Sequence, residues 1–367
     1  MGGVTAGPTN PLRVLVIDDS ALMRCMLADA LQAEGLRIAG VARDGEEGLT
    51  RLRELAPDVV LLDVEMPRRN GVEFLSEAMR THPVRVVVLS SLTTAGSDLA
   101  VQCLALGAFA CLAKPDGTDG HGIRGMASEL ARTIRNAAAA RLLPAVLRPP
   151  VRPRLPMAAY GWPIGRPSGR PARAVLVVAA SAGGPAALQQ VVAELPPDLP
   201  AGVLIVQHLP IGFTAALAER MDAAAAMPVR EAVAGERVRE GQAYVAPAGW
   251  HMEIDVEGSI FLHQQPPVWG VRPAADVTLV SCAERFGSRV VACVLTGMGR
   301  DGAAGAGHVR QAGGVVLAQD EATSVVWGMP RAVYEAGAAS ALVPLGAMAG
   351  EAARWVRQVA AGARTAA

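Results

Sequence analysis

The sequence predicts two α/β units in series: a five-stranded, parallel, doubly wound sheet over residues 10–142 and a second, mainly parallel sheet over residues 173–362. Three observations lead there. The chain has 367 residues, too many for one ordinary domain and enough for two of about 100–200 residues each. In both halves short, continuous apolar runs alternate with amphipathic stretches, the pattern of parallel strands covered on both faces by helices. The composition then breaks over residues 143–172. From Pro144 to Pro171 the chain is dense in Pro and Arg and carries no acidic residue. PPVRPRLP and GRPSGRP form neither helix nor inner strand, so this stretch reads as an extended, solvated spacer.

In the first unit the expected strands are LRVLVI (12–17), LRIAGVA (36–42), DVVLL (58–62), RVVVLS (85–90) and FACLA (109–113). The first intervening helix, ALMRCMLADALQ, places Leu22, Met23, Met26, Leu27, Ala30 and Leu31 on one face and stops at Gly35. The second unit starts with ARAVLVVAA. Further strands are expected at GVLIV (202–206), AYVAP (243–247), SIFLH (259–263), VVACVL (290–295) and GVVLA (314–318), with hairpin-like pairs in the middle.

Composition excludes several function classes. Hydrophobic residues make up 51% of the chain but aromatics only 4%, so Val, Leu and Ala do the packing. Lys plus Arg and Asp plus Glu balance at 34 each, which argues against nucleic acid as a partner, because such binding rests on clustered cations. The five cysteines are dispersed without CxxC or metal spacing, as in a reducing compartment. The N-terminal residues lack a signal-peptide pattern and no apolar run reaches the ~20 residues of a membrane span, so no membrane insertion is expected and the protein is expected in the cytoplasm.

Chemistry-bearing residues collect at strand ends in the first unit. Asp18 and Asp19 end the first strand, Asp63 the third and Ser90 the fourth; Lys114, followed by Pro115, ends the fifth. In an open parallel sheet the C-terminal strand ends share one edge. Clustered carboxylates there suit Mg²⁺, and Lys114 and Ser90 can hold the oxygens of a phosphoryl group arriving at Asp63. A single Asp at a strand end is more often a cap; the whole set is not. VIDDSALMR, LDVEMPRRNG, LSSLT and GAFACLAKP resemble the receiver domains of two-component response regulators. The resemblance implies a flavodoxin-like fold, phosphorylation of Asp63 by a histidine kinase, and Mg²⁺ held by Asp18, Asp19, Asp63 and the carbonyl of Glu65. Two positions depart from the family: Asn70 stands where Asp is frequent, and Cys111 where many receivers carry an aromatic switch residue.

In the second unit VLVVAASAGGP runs from a buried strand into a Gly-rich turn and a helix, LQQVVAEL, placing Ser181 on the turn. The helix N-terminus offers N–H groups suited to an oxyanion. A Ser hydroxyl needs a base, and VLIVQHLP puts His208 just beyond the next strand. TGMGRDGA supplies Asp301 in the turn after another strand. The order Ser, His, Asp differs from that of α/β-hydrolases, but triads are defined by roles. Each residue also has a plain reading: AASAGGP as a phosphate loop (it lacks the Walker Lys and a full GxGxxG), His208 as a structural histidine, and Asp301 as a cap of the helix beginning beside it. His251 and His263 keep the structural reading.

SAGGP, VQHLP, TGMGRDGAAG and AQDEATSVVWGMP together resemble the CheB family of chemotaxis protein-glutamate methylesterases, and the resemblance covers domain order and spacer as well. It implies a serine hydrolase that demethylates glutamate methyl esters on methyl-accepting chemoreceptors, deamidates receptor glutamines, and needs no cofactor in the hydrolase unit. Ser181 is then the nucleophile, His208 the base, Asp301 its partner, and Ala182 and Met298 supply oxyanion-hole N–H groups. A CheA-type histidine kinase is the implied phosphodonor, and the unphosphorylated receiver is implied to obstruct the hydrolase. Ala182 replaces a frequent Thr, and GVRPAAD (270–276) stands where GHRPSVD is common, with Val271 at the His position. The competing class is a non-enzymatic response regulator working through protein contacts; the complete Ser181, His208 and Asp301 set argues against it.

Overall fold

A computed structural model describes residues 11–114, 120–142 and 169–365. Residue 10, Pro115 and most of the spacer (143–168) lie outside the described residues. The chain divides into two compact units, residues 1–142 and 143–367.

The first unit runs β1 (Arg13–Ile17), α1 (Ala21–Ala33), β2 (Arg37–Ala42), α2 (Gly45–Leu55), β3 (Val59–Asp63), α3 (Gly71–Thr81), β4 (Arg85–Ser90), α4 (Thr94–Ala105), β5 (Ala110–Ala113) and α5 (Gly120–Ala139). Its sheet has the order β2-β1-β3-β4-β5 with every neighbouring pair parallel, as the apolar runs predict. Local chemistry sets the helix starts. The Asp44 carboxylate accepts from the N–H groups of Glu46 and Glu47 to begin α2. Asn70 and Glu73 form a reciprocal capping box at α3, so the Asn70 departure costs the helix nothing. One face prediction is corrected. In α1 Leu27, Ala30 and Leu31 are buried, but Leu22 is 55% exposed, because the first turn of the helix projects beyond the strand it covers.

The second unit runs β6 (Ala174–Ala180), α6 (Gly184–Glu194), β7 (Ala201–Gln207), α7 (Thr214–Ala224), β8 (Val229–Glu231), β9 (Gln242–Val245), β10 (His251–Ile254), β11 (Ile260–His263), α8 (Ala275–Phe286), β12 (Val290–Val294), α9 (Ala303–Gln311), β13 (Val315–Gln319), α10 (Met329–Glu335), β14 (Ala341–Val343) and α11 (Leu345–Thr365). The seven-stranded sheet has the order β14-β13-β12-β6-β7-β9-β8. Its neighbouring strands are parallel throughout. The middle of the unit does hold an antiparallel pair, β10–β11, but its first strand was not expected, and AYVAP instead forms β9, which pairs in parallel with β7 and β8. β6 and β7 are buried at all seven positions each, as parallel strands covered on both faces are. The chain extends the sheet from β6 toward β7, then returns to build β12, β13 and β14 on the other side. The carboxyl ends of β6, β7 and β12 therefore meet at the point where strand order reverses, where open α/β sheets bind ligands.

Candidate active site and phosphoacceptor site

At the carboxyl edge of the first sheet Lys114 Nζ lies 2.7 Å from Asp63 Oδ2 and 3.0 Å from Asp18 Oδ2. Carboxylate oxygens of Asp18, Asp19 and Asp63 lie within 4.8 Å of one another; Asp18 and Asp63 are buried and Asp19 is exposed. Burial pushes the Asp63 carboxyl up to about 6, against the pull of Lys114 and with a further push from Asp18. Burial draws Lys114 down, but the charges of Asp63 and Asp18 prevail and raise it above the usual ammonium value. This hard-oxygen donor set fits a Mg²⁺ ion, which would relieve the carboxylate repulsion. Asp63 Oδ1 accepts from the Glu65 N–H at 3.1 Å. The Ser90 hydroxyl donates to the Gly96 carbonyl at 2.8 Å, so it must release α4 before it can bind a phosphoryl oxygen. The Glu65 carboxylate accepts from the hydroxyls of Ser91 and Thr93, tying the β3–α3 turn to the start of α4. Cys111 is buried, and desolvation raises its thiol well above the ordinary range.

In the second unit the pairing of Ala180 with Gln207 brings the residues that follow, Ser181 and His208, to adjacent positions on one edge. The His208 N–H donates to the Ala180 carbonyl at 3.3 Å. The Gln207 amide bridges the two, its Nε2 donating to the carbonyls of Ser181 and His208, both at 3.0 Å. An ideal Cβ at Gly184 would lie 2.1 Å from Gln207 Oε1, so only glycine lets α6 start against this amide. Across the switch point Gly297 is equally confined: a Cβ there would meet Met329 Sδ at 2.3 Å and Ser181 Cβ at 2.9 Å. That places the turn after β12 directly against the Ser181 side chain.

His208 Nε2 and Asp301 Oδ2 are 2.8 Å apart. Both Asp301 oxygens also accept backbone N–H groups from the start of α8, Ala275 to Oδ2 at 2.6 Å and Asp276 to Oδ1 at 3.0 Å. Burial alone would raise Asp301, but His208 and these two N–H groups hold it below the ordinary carboxylate value. The capping expectation is thereby corrected. Asp301 caps a helix, but it is α8, far back in the sequence; α9, which begins beside it, has Gly302 at its cap and no side-chain bond there. Among the described residues the Ser181 hydroxyl and His208 Nδ1 have no hydrogen-bond partner, and the same holds for the N–H groups of Ala182 and Met298. A free hydroxyl, an imidazole oriented by a buried carboxylate and two unpaired N–H donors are the parts of an acyl-transfer site.

Residues 176–352 match the family model described as CheB methylesterase, and residues 14–120 match that of the response regulator receiver domain. A protein-glutamate methylesterase/protein-glutamine glutaminase of Symbiobacterium thermophilum is 47% identical over 346 residues, 92% of this chain and 95% of the relative. The chain belongs to the CheB methylesterase family. A second member, of Pyrococcus abyssi, is 41% identical over 348 residues, 91% of this chain and 90% of its own. Among solved structures, the CheB methylesterase catalytic domain of Thermotoga maritima is 39% identical, covering 49% of this chain and 97% of that one at a TM-score of 0.48.

Other parts of this CheB-family site escaped the sequence reading. Thr296, buried, donates its hydroxyl to the Ala182 carbonyl at 3.0 Å and accepts from the Val326 N–H at 3.0 Å; its own N–H donates to Gln319 Oε1 at 2.7 Å. Gln207 and Gln319 carried one legible signal, an amide closing an otherwise apolar strand. Beside the start of α8, Trp269, 56% exposed, donates its indole N–H to Asp276 at 2.8 Å, and the Arg300 guanidinium lies 5.0 Å over its ring. No helix among the described residues is long and apolar enough to cross a membrane.

Proposed function

We propose that this protein is a cytoplasmic, phosphorylation-activated serine hydrolase that removes methyl groups from glutamate methyl esters of methyl-accepting chemoreceptors and deamidates receptor glutamines at the same site. The observation that carries the reading is the His208–Asp301 pair at 2.8 Å, on the edge where the Ser181 hydroxyl stands free. Because Nε2 faces Asp301, Nδ1 is the nitrogen that takes the Ser181 proton as Oγ attacks the ester carbonyl. Asp301 fixes the Nε2–H tautomer and stabilises the imidazolium that follows. The N–H groups of Ala182 and Met298 receive the oxyanion. Methanol leaves with the proton from His208, and water, deprotonated by the same ring, releases the glutamate from Ser181. With a glutamine substrate the leaving group is ammonia. Ser181→Ala should abolish methanol release from methylated receptor; retained turnover overturns the assignment.

Asp63 is the phosphoacceptor, with a CheA-type histidine kinase as donor. Asp18, Asp19, Asp63 and the Glu65 carbonyl would hold Mg²⁺, which when bound neutralises the charge gathered around the phosphoryl group. Lys114 holds one of its oxygens, and Ser90 another once it leaves Gly96. Phosphorylation then shifts the receiver between states, and the hydrolase responds because it works better beside one of them. The spacer, the remaining segment between the units, carries no catalytic group.

A further inference from the structure

Three consecutive N–H groups at the start of α8 are committed in different directions. Ala275 and Asp276 donate to Asp301, whereas Ala274 donates to Nδ1 of His251 at 3.3 Å. A ring nitrogen that accepts carries no proton, so the His251 proton sits on Nε2, which donates to the Pro266 carbonyl at 3.2 Å. One imidazole thus closes both ends of the segment 266–274. Arg272 secures that segment: Nη1 donates to the carbonyls of Gln264 and Gln265, each at 2.9 Å, and its own carbonyl accepts from Gly249 at 3.0 Å. His251 is 1% exposed, on the strand that packs under α8.

We propose that His251 is a positioning residue for Asp301: the neutral ring fixes the peptide entering α8, whose next two N–H groups aim the carboxylate at His208, and protonation of the ring withdraws that support. The inference rests on the serine-hydrolase reading above. A protonated Nδ1 would confront the Ala274 N–H donor to donor, so that end of the segment must move. The charged and titratable groups acting on the ring are His263 on β11, with ring centroids 5.3 Å apart, Arg272 in the segment, and Asp301 in the turn after β12. Burial holds His251 below the usual imidazole value; the charges of His263 and Arg272 act the same way and Asp301 opposes them. The ring is therefore neutral at physiological pH and fails its task only on acidification.

The test uses the full chain in two ways. With ¹⁵N-histidine labelling, His251 should appear as the Nε2–H tautomer at pH 8. On acidification the amides of Ala275 and Asp276 and the His208 ring should move with the His251 midpoint. An Nδ1–H tautomer, or amides and His208 blind to that midpoint, overturns the proposal. In parallel, a fluorophosphonate probe reports Ser181 reactivity. His251→Asn, which keeps an acceptor near the Nδ1 position, should label within about threefold of wild type at pH 8 and lose the lower acid limb. His251→Leu should label roughly tenfold or more slowly, as expected of a displaced catalytic group. Equal rates and pH profiles in all three proteins overturn it. A wild type that never labels rejects the hydrolase reading instead, and the tautomer and titration data still decide the role of His251.

Discussion

Asp301 is buried, carries a charge, and accepts from an imidazole and two backbone N–H groups at once. Those donors compensate its desolvation and leave the carboxylate one rotamer. Asp301→Asn keeps the size but turns one donor against another, and it no longer selects the His208 tautomer. The expected result is a fall in kcat on the order of 10³–10⁴-fold with KM little changed, read from methanol release on methylated receptor. Asp63 presents the opposite balance: burial outweighs Lys114 and raises its pKa to about 6. Without metal the folded state therefore binds a proton more tightly than the unfolded chain, so this group lowers stability as pH rises from about 4 through 6. Two consequences are measurable. In chelator at pH 7, Asp63→Asn should unfold at higher denaturant than wild type, by up to about 2–3 kcal/mol. Mg²⁺ binding should release protons and tighten from pH 5 to 7, seen by calorimetry in buffers of different ionisation heat. Ser181, His208 and the receiver acids were legible in the sequence because each sits where an apolar run stops, and Asp301 because it lies in the glycine-rich turn that follows one. Gln207 showed only as an amide ending an apolar run, and the roles of Gln207, Thr296 and His251 were not legible, because they depend on partners that the fold brings together.

Elements split along the same line. Strands buried on both faces announce themselves as continuous apolar runs, and β1, β3, β4, β6, β7, β12 and β13 were all readable. β8 and β14, three residues each at the two edges, are too short to stand out. β10, HMEI, alternates polar and apolar residues and forms no continuous apolar run, so it was not among the expected strands. The start of α6 makes the sharpest element-scale prediction. Gly184→Ala drives a methyl into Gln207 Oε1 and separates the amide from Ser181 and His208. It should cost about 1–3 kcal/mol of stability and lower kcat as well, whereas Gly350→Ala, where no atom lies within 4 Å of the added carbon, should leave kcat unchanged. Because Gly350 lies inside α11, its change to Ala should raise stability by about 0.5–1 kcal/mol, so denaturant unfolding and methanol release on the two variants separate a site effect from a general helix effect.

At the scale of the whole molecule, each unit owns a sheet and a core, and among the described residues no strand of one pairs with a strand of the other. Residues 169–365 should therefore fold without the receiver. Removing residues 1–142 should leave a single cooperative unfolding transition and a higher basal rate of methanol release than the unphosphorylated full chain. A truncated protein slower than that chain would mean that the receiver assists rather than obstructs. Both sites lie at the carboxyl edge of their own sheets, so two different reactions, phosphoryl transfer and acyl transfer, are served by one architectural rule. That rule made their neighbourhoods readable before any coordinates. The spacing could not reveal which helix steadies Asp301, because α8 precedes it by a full strand.

The hydrolase unit also carries its own optical reporter, next to the residues that hold Asp301. Trp269 is half in water, bonded through its indole to Asp276 and covered by Arg300; a cation above the ring and a carboxylate at its edge both perturb indole emission. A peptide that slides Arg300 aside or shields the ring from water should change that fluorescence before any bond is cleaved. In a Ser181→Ala background, occupancy could then be followed by light alone, with Trp269→Phe as the silent control.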